Sequence, residues 1–170
     1  MAKKTKKKTK QPAKKPSTAK SRPLFTIGYE QAKPAAVLDE LKRAKVDTLV
    51  DVRAVAASRR PGFSKRQLAA SLDEAGIAYV HLQKLGTPAE GRQAARAGDR
   101  DTLKRIYDKH IAKPEPQAAL DELAGLIKSG KRIALLCYCR DPDTCHRSRV
   151  VANVKERLKV TVEDLIPPLF

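Results

Sequence analysis

The chain has 170 residues, of which 41% are hydrophobic and only 4% aromatic, and its formal net charge is +17. This length suits one globular domain with an aliphatic core. No run reaches the roughly 18 apolar residues of a membrane span, so no membrane partner is expected. The basic N-terminus lacks an apolar segment, which excludes a secretory signal. Three clustered cysteines in a non-secreted chain then indicate reduced thiols and a cytoplasmic protein.

The basic charge is concentrated at the N-terminus. Residues 1–22 contain ten of the 36 basic residues and no acidic one. A segment this poor in apolar side chains is predicted to be a disordered tail, which leaves residues 23–170 as the single domain. The tail either solubilises the protein or attaches it non-specifically to nucleic acid through phosphate contacts. The body has 26 basic and 19 acidic residues, so it is basic as well.

From residue 24 onwards, apolar strands alternate with amphipathic helices. Strands are predicted over residues 24–29, 46–52, 77–82 and 131–139, with a last strand or turn over 160–166. Helices are predicted over 34–45, 64–75, 99–110, 116–128 and 144–158, and residues 83–98 as a long irregular excursion. This alternation predicts a single α/β domain with a mostly parallel, Rossmann-like sheet of four to five strands between helices.

Polar residues break the apolar runs where the predicted strands end. Tyr29 ends the first strand, Asp51 and Arg53 end the second, and His81 lies near the end of the third. The cysteine-rich stretch from Ile133 to Val151 ends the fourth. Because ligands of open parallel sheets bind beyond the carboxyl ends of the strands, these groups are expected to share one edge. Asp51 and Arg53 form either a structural ion pair or an anion ligand with its orienting carboxylate.

The segment Cys145-His146-Arg147 is predicted to open the last helix, capped by Asp143 or Thr144. The positive end of a helix favours anions and lowers the pKa of a thiol. Cys145 could therefore be a nucleophile, or the turn could hold a phosphate with an arginine as the fork-shaped donor. Alternatively, Cys145 is a small buried hydrophobe. His146 could be a base or a ligand, or a surface residue.

Cysteine spacing argues against a metal site. Four sulfur or nitrogen donors lie within ten residues, namely Cys137, Cys139, Cys145 and His146. Structural zinc sites favour C-x2-C pairs, and neighbouring residues of a helix point about 100° apart. No metal and no cofactor are therefore predicted. A phosphatase or rhodanese-type loop would close with arginine where this chain has Cys145, and glycine-rich nucleotide motifs are missing.

A second basic segment, Ser58-Arg59-Arg60-Pro61-Gly62-Phe63-Ser64-Lys65, precedes a helix. Arg59, Ser64 and an exposed Phe63 would suit phosphate contact and base stacking. Alternatively, the loop is solvated and Phe63 folds back onto the helix as a hydrophobic staple.

Six blocks in order resemble one family: T-I-G-Y at 26–29, D-V-R at 51–53, the basic segment at 58–65, Y-V-H-L at 79–82, L-G at 85–86, and L-L-C…D-P…C-H-R at 135–147. The chain from about residue 24 to 158 is similar to domain of unknown function 488. The resemblance implies a compact α/β fold without an established reaction. Many members have an acidic residue where this chain has Cys139, which favours Cys137, Cys145, His146 and Arg147 as shared site residues.

Together these patterns favour an anion-binding cleft for a phosphate-bearing ligand, a nucleotide or nucleic acid, with thiol-dependent chemistry. The catalytic candidates are Cys137, Cys145, His146, Asp51 and His81. The anion-binding candidates are Arg53, Arg59, Arg147, Ser64 and Tyr29. The alternatives are a nucleic-acid-binding module without chemistry, in which basic loops and tail supply the affinity, and a metal-stabilised regulatory domain.

Overall fold

The computed structural model describes residues 23–169, so the predicted tail at 1–22 lies outside the described residues. One parallel sheet organises the chain, in the strand order β3-β2-β4-β1-β5. Its strands are β1 (Leu24–Gly28), β2 (Thr48–Asp51), β3 (Ala78–His81), β4 (Ile133–Cys137) and β5 (Val162–Leu165). The prediction of a single α/β domain with a parallel sheet is confirmed, and the last segment is a strand.

Six helices flank the sheet: α1 (Pro34–Arg43), α2 (Lys65–Glu74), α3 (Ala89–Arg96), α4 (Arg100–Ile111), α5 (Pro114–Lys128) and α6 (Arg147–Arg157). Short 3-10 turns span Gln83–Leu85 and Pro142–Thr144. None of the helices in the described part of the chain is long and apolar enough to cross a membrane.

Two hydrophobic cores lie on opposite faces of the sheet, because side chains alternate along each strand. In β4, Ala134 and Leu136 pack in one core with residues of α1 and α2. Ile133, Leu135 and Cys137 pack in the other core with residues of α4, α5 and α6. The inner strands β1, β2 and β4 are therefore buried on both faces, which leaves function to the residues just beyond the strand ends.

Two predicted elements were wrong. Residues 83–98 are not an irregular excursion, because α3 occupies half of that segment. The last helix begins at Arg147, so Cys145 and His146 do not lie in its first turn. Cys145 has an extended backbone after the 3-10 turn, and His146 is the N-cap residue. Asp141 and Pro142 favour a tight turn here, which delays the start of the helix.

Candidate functional site

Arg53 is the centre of a buried polar cluster beyond the end of β2. Its Nε lies 2.9 Å from Asp51 Oδ1 and its second terminal nitrogen 2.6 Å from Oδ2. The remaining nitrogen donates to Tyr29 Oη at 2.8 Å and to the Phe63 carbonyl at 3.0 Å. Burial alone would lower the pKa of Arg53, but the hydrogen bonds and charge of Asp51 outweigh burial and raise it. Asp51 and Arg53 thus form the structural ion pair.

Two further residues complete this cluster. The Tyr79 hydroxyl donates to Asp51 Oδ2 at 2.6 Å, and burial together with that carboxylate raises the pKa of Tyr79. His81 Nε2 lies 2.8 Å from the Arg53 carbonyl. Every nitrogen of Arg53 has a protein acceptor, and His81 contacts backbone rather than a thiol. The roles predicted for Arg53 as an anion ligand and His81 as a proton carrier therefore remain predictions, and neither side chain is positioned for them here.

The basic loop before α2 folds onto the same cluster. Phe63 is fully buried and stacks on Tyr29 with ring centroids 4.2 Å apart, so the expectation of an exposed Phe63 was wrong. Arg60 donates to the carbonyls of Tyr29 and Ala32. Ser64 precedes α2 without a side-chain cap bond, and its hydroxyl instead bonds the backbone of Ser58. Ser64 therefore joins the two ends of the loop through the Ser58 backbone. The conformation of the loop is set mainly by the burial of the Phe63 ring against Tyr29.

The three cysteines converge on the other face of the sheet edge. The Sγ atoms of Cys137, Cys139 and Cys145 all lie within 4.8 Å of one another. His146 Nδ1 lies 3.6 Å from Cys137 Sγ and 3.8 Å from Cys145 Sγ. His146 Nε2 lies 2.8 Å from the Val52 carbonyl, which is an acceptor, so Nε2 carries a proton and Nδ1 of the neutral ring would present a lone pair to the sulfurs. We call these four side chains the sulfur-imidazole cluster.

The thiols of this cluster ionise unequally. Burial raises the pKa of Cys145, but hydrogen bonds from Cys137 and Cys139 and the neighbouring His146 outweigh burial and place it well below its ordinary value. For Cys137, the hydrogen bond with Cys139 lowers the pKa, but Cys145 and burial raise it further, and the net shift is upwards. Burial lowers the pKa of His146, and the charge of Cys145 reverses this and raises it. The cluster therefore favours one negative charge on sulfur.

Arg147 lies behind the cluster and is only 1% exposed. One terminal nitrogen donates to the Cys139 carbonyl at 2.7 Å, and Nε has no hydrogen-bond partner in the described part of the chain. No carboxylate pairs with it among residues 23–169. Its predicted role as a phosphate ligand is not tested, and burial separates its guanidinium from solvent. The positive charge of Arg147 instead acts on the cysteines. It lowers the pKa of Cys137, although the net shift of that pKa is upwards.

A cleft of about 710 Å³ opens above both clusters. Its floor includes Cys137, Cys139, Cys145 and His146. Its walls include five arginines, namely Arg53, Arg59, Arg60, Arg92 and Arg96, and no aspartate or glutamate. Tyr29 and Tyr138 also line it, and their rings meet edge-to-face at 5.4 Å. This volume is in the range of small-molecule sites. Of the predicted site residues, Tyr29, Arg53, Arg59, Cys137, Cys145 and His146 share the cleft, whereas Asp51, Ser64, His81 and Arg147 do not line it.

Sequence reasoning missed Arg92, Arg96 and Tyr138. Arg92 and Arg96 are four residues apart on α3, a spacing that places two side chains on one helix face. The signal was present in the sequence and was lost when residues 83–98 were interpreted as irregular. Tyr138 lies between Cys137 and Cys139, just after the end of β4. It is 46% exposed and lines the cleft.

The fold and site define a single-domain parallel α/β protein with an arginine-walled cleft and a sulfur-imidazole floor at the carboxyl edge of its sheet. The chain belongs to the family described as "Domain of unknown function DUF488", whose pattern matches residues 33–154. The predicted resemblance is confirmed over most of its extent, although the T-I-G-Y block lies just outside the matched residues. No curated protein matches the chain, and no solved structure does.

Proposed function

We propose that the protein binds a phosphate-bearing ligand, a nucleotide or a segment of nucleic acid, in the arginine-walled cleft. The observation that carries this proposal is the charge of the lining, which has no carboxylate and, besides Arg53 with its ion pair to Asp51, four further arginines. Arg59, Arg92 and Arg96 form no ion pair within residues 23–169. Guanidinium groups that converge without counter-charges favour phosphate, which accepts their paired N–H donors.

Tyr138 supports a ligand that also contains a base. Exposed aromatic rings are unusual in a protein with so few aromatic residues, and the exposed ring of Tyr138 lines the same cleft as the arginines. An edge-to-face contact with Tyr29 orients the Tyr138 ring, and the rest of the ring surface is left for a base to stack on. Aromatic stacking on a base combined with arginine contacts to phosphate is the usual arrangement in proteins that bind single strands.

The finer hypothesis, a thiol that attacks the bound ligand, has Cys145 as its candidate. Cys145 lines the cleft, but it is only 3% exposed and its sulfur faces two other sulfurs and an imidazole. A nucleophile needs an open path to the reacting atom. The geometry therefore favours binding without thiol chemistry. The basic tail would add sequence-independent attraction to nucleic acid, and reduced thiols agree with the cytoplasm as the compartment.

The test is binding of two probes to the full chain, a fluorescent mixed-sequence DNA 12-mer and a fluorescent ATP analogue, by anisotropy at several salt concentrations. Arg92→Ala and Arg96→Ala should each weaken binding about tenfold and lower the salt slope by about one unit. The control is Arg66→Ala, which removes an exposed arginine outside the cleft and keeps the tail. Equal losses for Arg66 and Arg92 would contradict a cleft site. If the protein binds only one of the two probes, that result identifies the ligand as a nucleotide or as nucleic acid.

A further inference from the structure

Four soft donor atoms lie near one another at the sheet edge: the sulfurs of Cys137, Cys139 and Cys145, all within 4.8 Å of one another, and Nδ1 of His146, which lies beside the sulfurs of Cys137 and Cys145. We propose that they bind one zinc ion in tetrahedral coordination. The inference is independent of the cleft's ligand, because it concerns only the floor. It also accounts for the close approach of the three sulfurs to one another.

The distances fit a tetrahedral shell. Zinc binds sulfur at about 2.3 Å and imidazole nitrogen at about 2.0–2.1 Å, so a tetrahedron has S···N edges of about 3.6 Å and S···S edges of about 3.8 Å. Two of the three nitrogen–sulfur edges match: His146 Nδ1 lies 3.6 Å from Cys137 Sγ and 3.8 Å from Cys145 Sγ. The three sulfurs lie within 4.8 Å of one another, close enough for a small contraction to complete the shell.

His146 is oriented as a metal ligand. A ligating histidine usually donates its other ring N–H to a backbone carbonyl or carboxylate, which fixes the ring and its tautomer. His146 Nε2 makes this bond with the Val52 carbonyl at 2.8 Å. The ring is buried, and its Nδ1 lies beside the sulfurs of Cys137 and Cys145.

Charge provides an independent argument. Three thiolates, a neutral imidazole and Zn²⁺ have a net charge of minus one, which is costly to bury without a counter-charge. Arg147 is a buried cation without a carboxylate partner in the described part of the chain, and it donates to the carbonyl of Cys139. The proposed zinc centre would supply the negative counter-charge that the Arg147 guanidinium otherwise lacks.

The donor set selects the metal. Thiolate and imidazole ligands suit zinc and disfavour magnesium and calcium, which prefer oxygen. Four protein donors fill the shell, so the site would be structural and join the end of β4 to the start of α6 and, through Val52, to β2.

Sequence spacing argued against zinc because Cys145 and His146 were placed on a helix. Cys145 is extended, so neighbouring residues can both reach one ion.

The first test is metal analysis of the full chain, purified under nitrogen without chelator. We expect about one zinc per chain, as in a four-ligand site. Cys145→Ser and His146→Gln should each lose most of it, whereas His110→Gln, which changes a half-buried histidine outside the cluster, should retain it. Far-UV circular dichroism checks the fold of each variant.

The second test needs no variant. Reduced, metal-free protein titrated with Co²⁺ should develop the intense visible bands of tetrahedral cobalt and a near-ultraviolet thiolate charge-transfer band, saturating at about one equivalent. Zinc should then displace the cobalt and bleach both bands. The proposal is overturned by purified protein without metal that shows no cobalt bands. A disulfide between any two of the cysteines in protein purified under nitrogen would also overturn it. Nucleotide binding is not a readout, so failure here leaves the arginine cleft untouched.

Discussion

Arg53 holds Asp51 through two nitrogens in a buried ion pair at the end of β2, with contacts of 2.6 and 2.9 Å. Both side chains are buried, and the Tyr79 hydroxyl donates to the same carboxylate. The pair links neighbouring strands, because Tyr79 of β3 donates to Asp51 and Arg53 donates to the hydroxyl of Tyr29, which follows β1. The Asp51–Arg53 ion pair therefore stabilises the edge of the sheet at which the cleft lies.

Asp51→Asn should destabilise the protein by about 3–5 kcal/mol, because it leaves the guanidinium of Arg53 buried without a counter-charge. Urea unfolding followed by circular dichroism measures the change. The matched control is Asp121→Asn, which breaks an ion pair with Arg157 in which Asp121 is 72% exposed. That substitution should cost less than about 1 kcal/mol. Similar losses at the two positions would show that burial of the Asp51–Arg53 pair is unimportant.

Gly28 allows the segment after β4 to approach β1 closely. A Cβ at this position would lie 1.9 Å from the Cys139 carbonyl oxygen, and backbone cannot move aside as a flexible side chain can. Gly28→Ala should therefore cost at least about 1–3 kcal/mol and displace Cys139. Gly125→Ala is the control, because a Cβ there meets nothing within 4 Å inside α5. It should stabilise the protein by about 0.5–1 kcal/mol in the same unfolding experiment. A neutral Gly28→Ala would contradict the close approach.

Tyr138 should contribute stacking rather than charge. Tyr138→Ala is expected to weaken binding of the DNA 12-mer by about 1–3 kcal/mol with an unchanged salt slope. Tyr138→Phe keeps the ring and should bind like the wild type. Anisotropy titrations at several salt concentrations separate this effect from that of Arg92→Ala, which should lower the slope. A loss for Tyr138→Phe equal to that for Tyr138→Ala would assign the effect to the hydroxyl instead.

Zinc removal should destabilise the fold, because a metal that binds only the folded state adds its binding free energy to stability. With free zinc at about 100 times its dissociation constant, this contribution is about 2.7 kcal/mol. Thermal unfolding in the presence of a chelator should show a lower midpoint, and excess zinc should restore it. His146→Gln should already unfold at the lower midpoint and respond weakly to chelator. A chelator effect of the same size in this variant would argue against ligation by His146.

The sequence by itself determined the class of fold and the residues available for function. Alternating strands and helices predicted the parallel sheet, and the polar residues that end the strands do meet at one edge, as Gly28 opposite Cys137 and Asp51 opposite His81 show. These features depend on local periodicity and on the geometry shared by all parallel sheets. The six sequence blocks likewise indicated the family.

Tertiary structure decided how these residues combine. The contact between His146 and the Val52 carbonyl joins residues 94 positions apart, and it exists because β4 pairs with β2. That pairing turns the imidazole towards the sulfurs. The extended backbone of Cys145 then lets adjacent residues share one centre, which a helical spacing rule excluded. Strand order and the start of α6 depend on long-range packing, so local sequence patterns predicted the donors but not the sulfur-imidazole cluster.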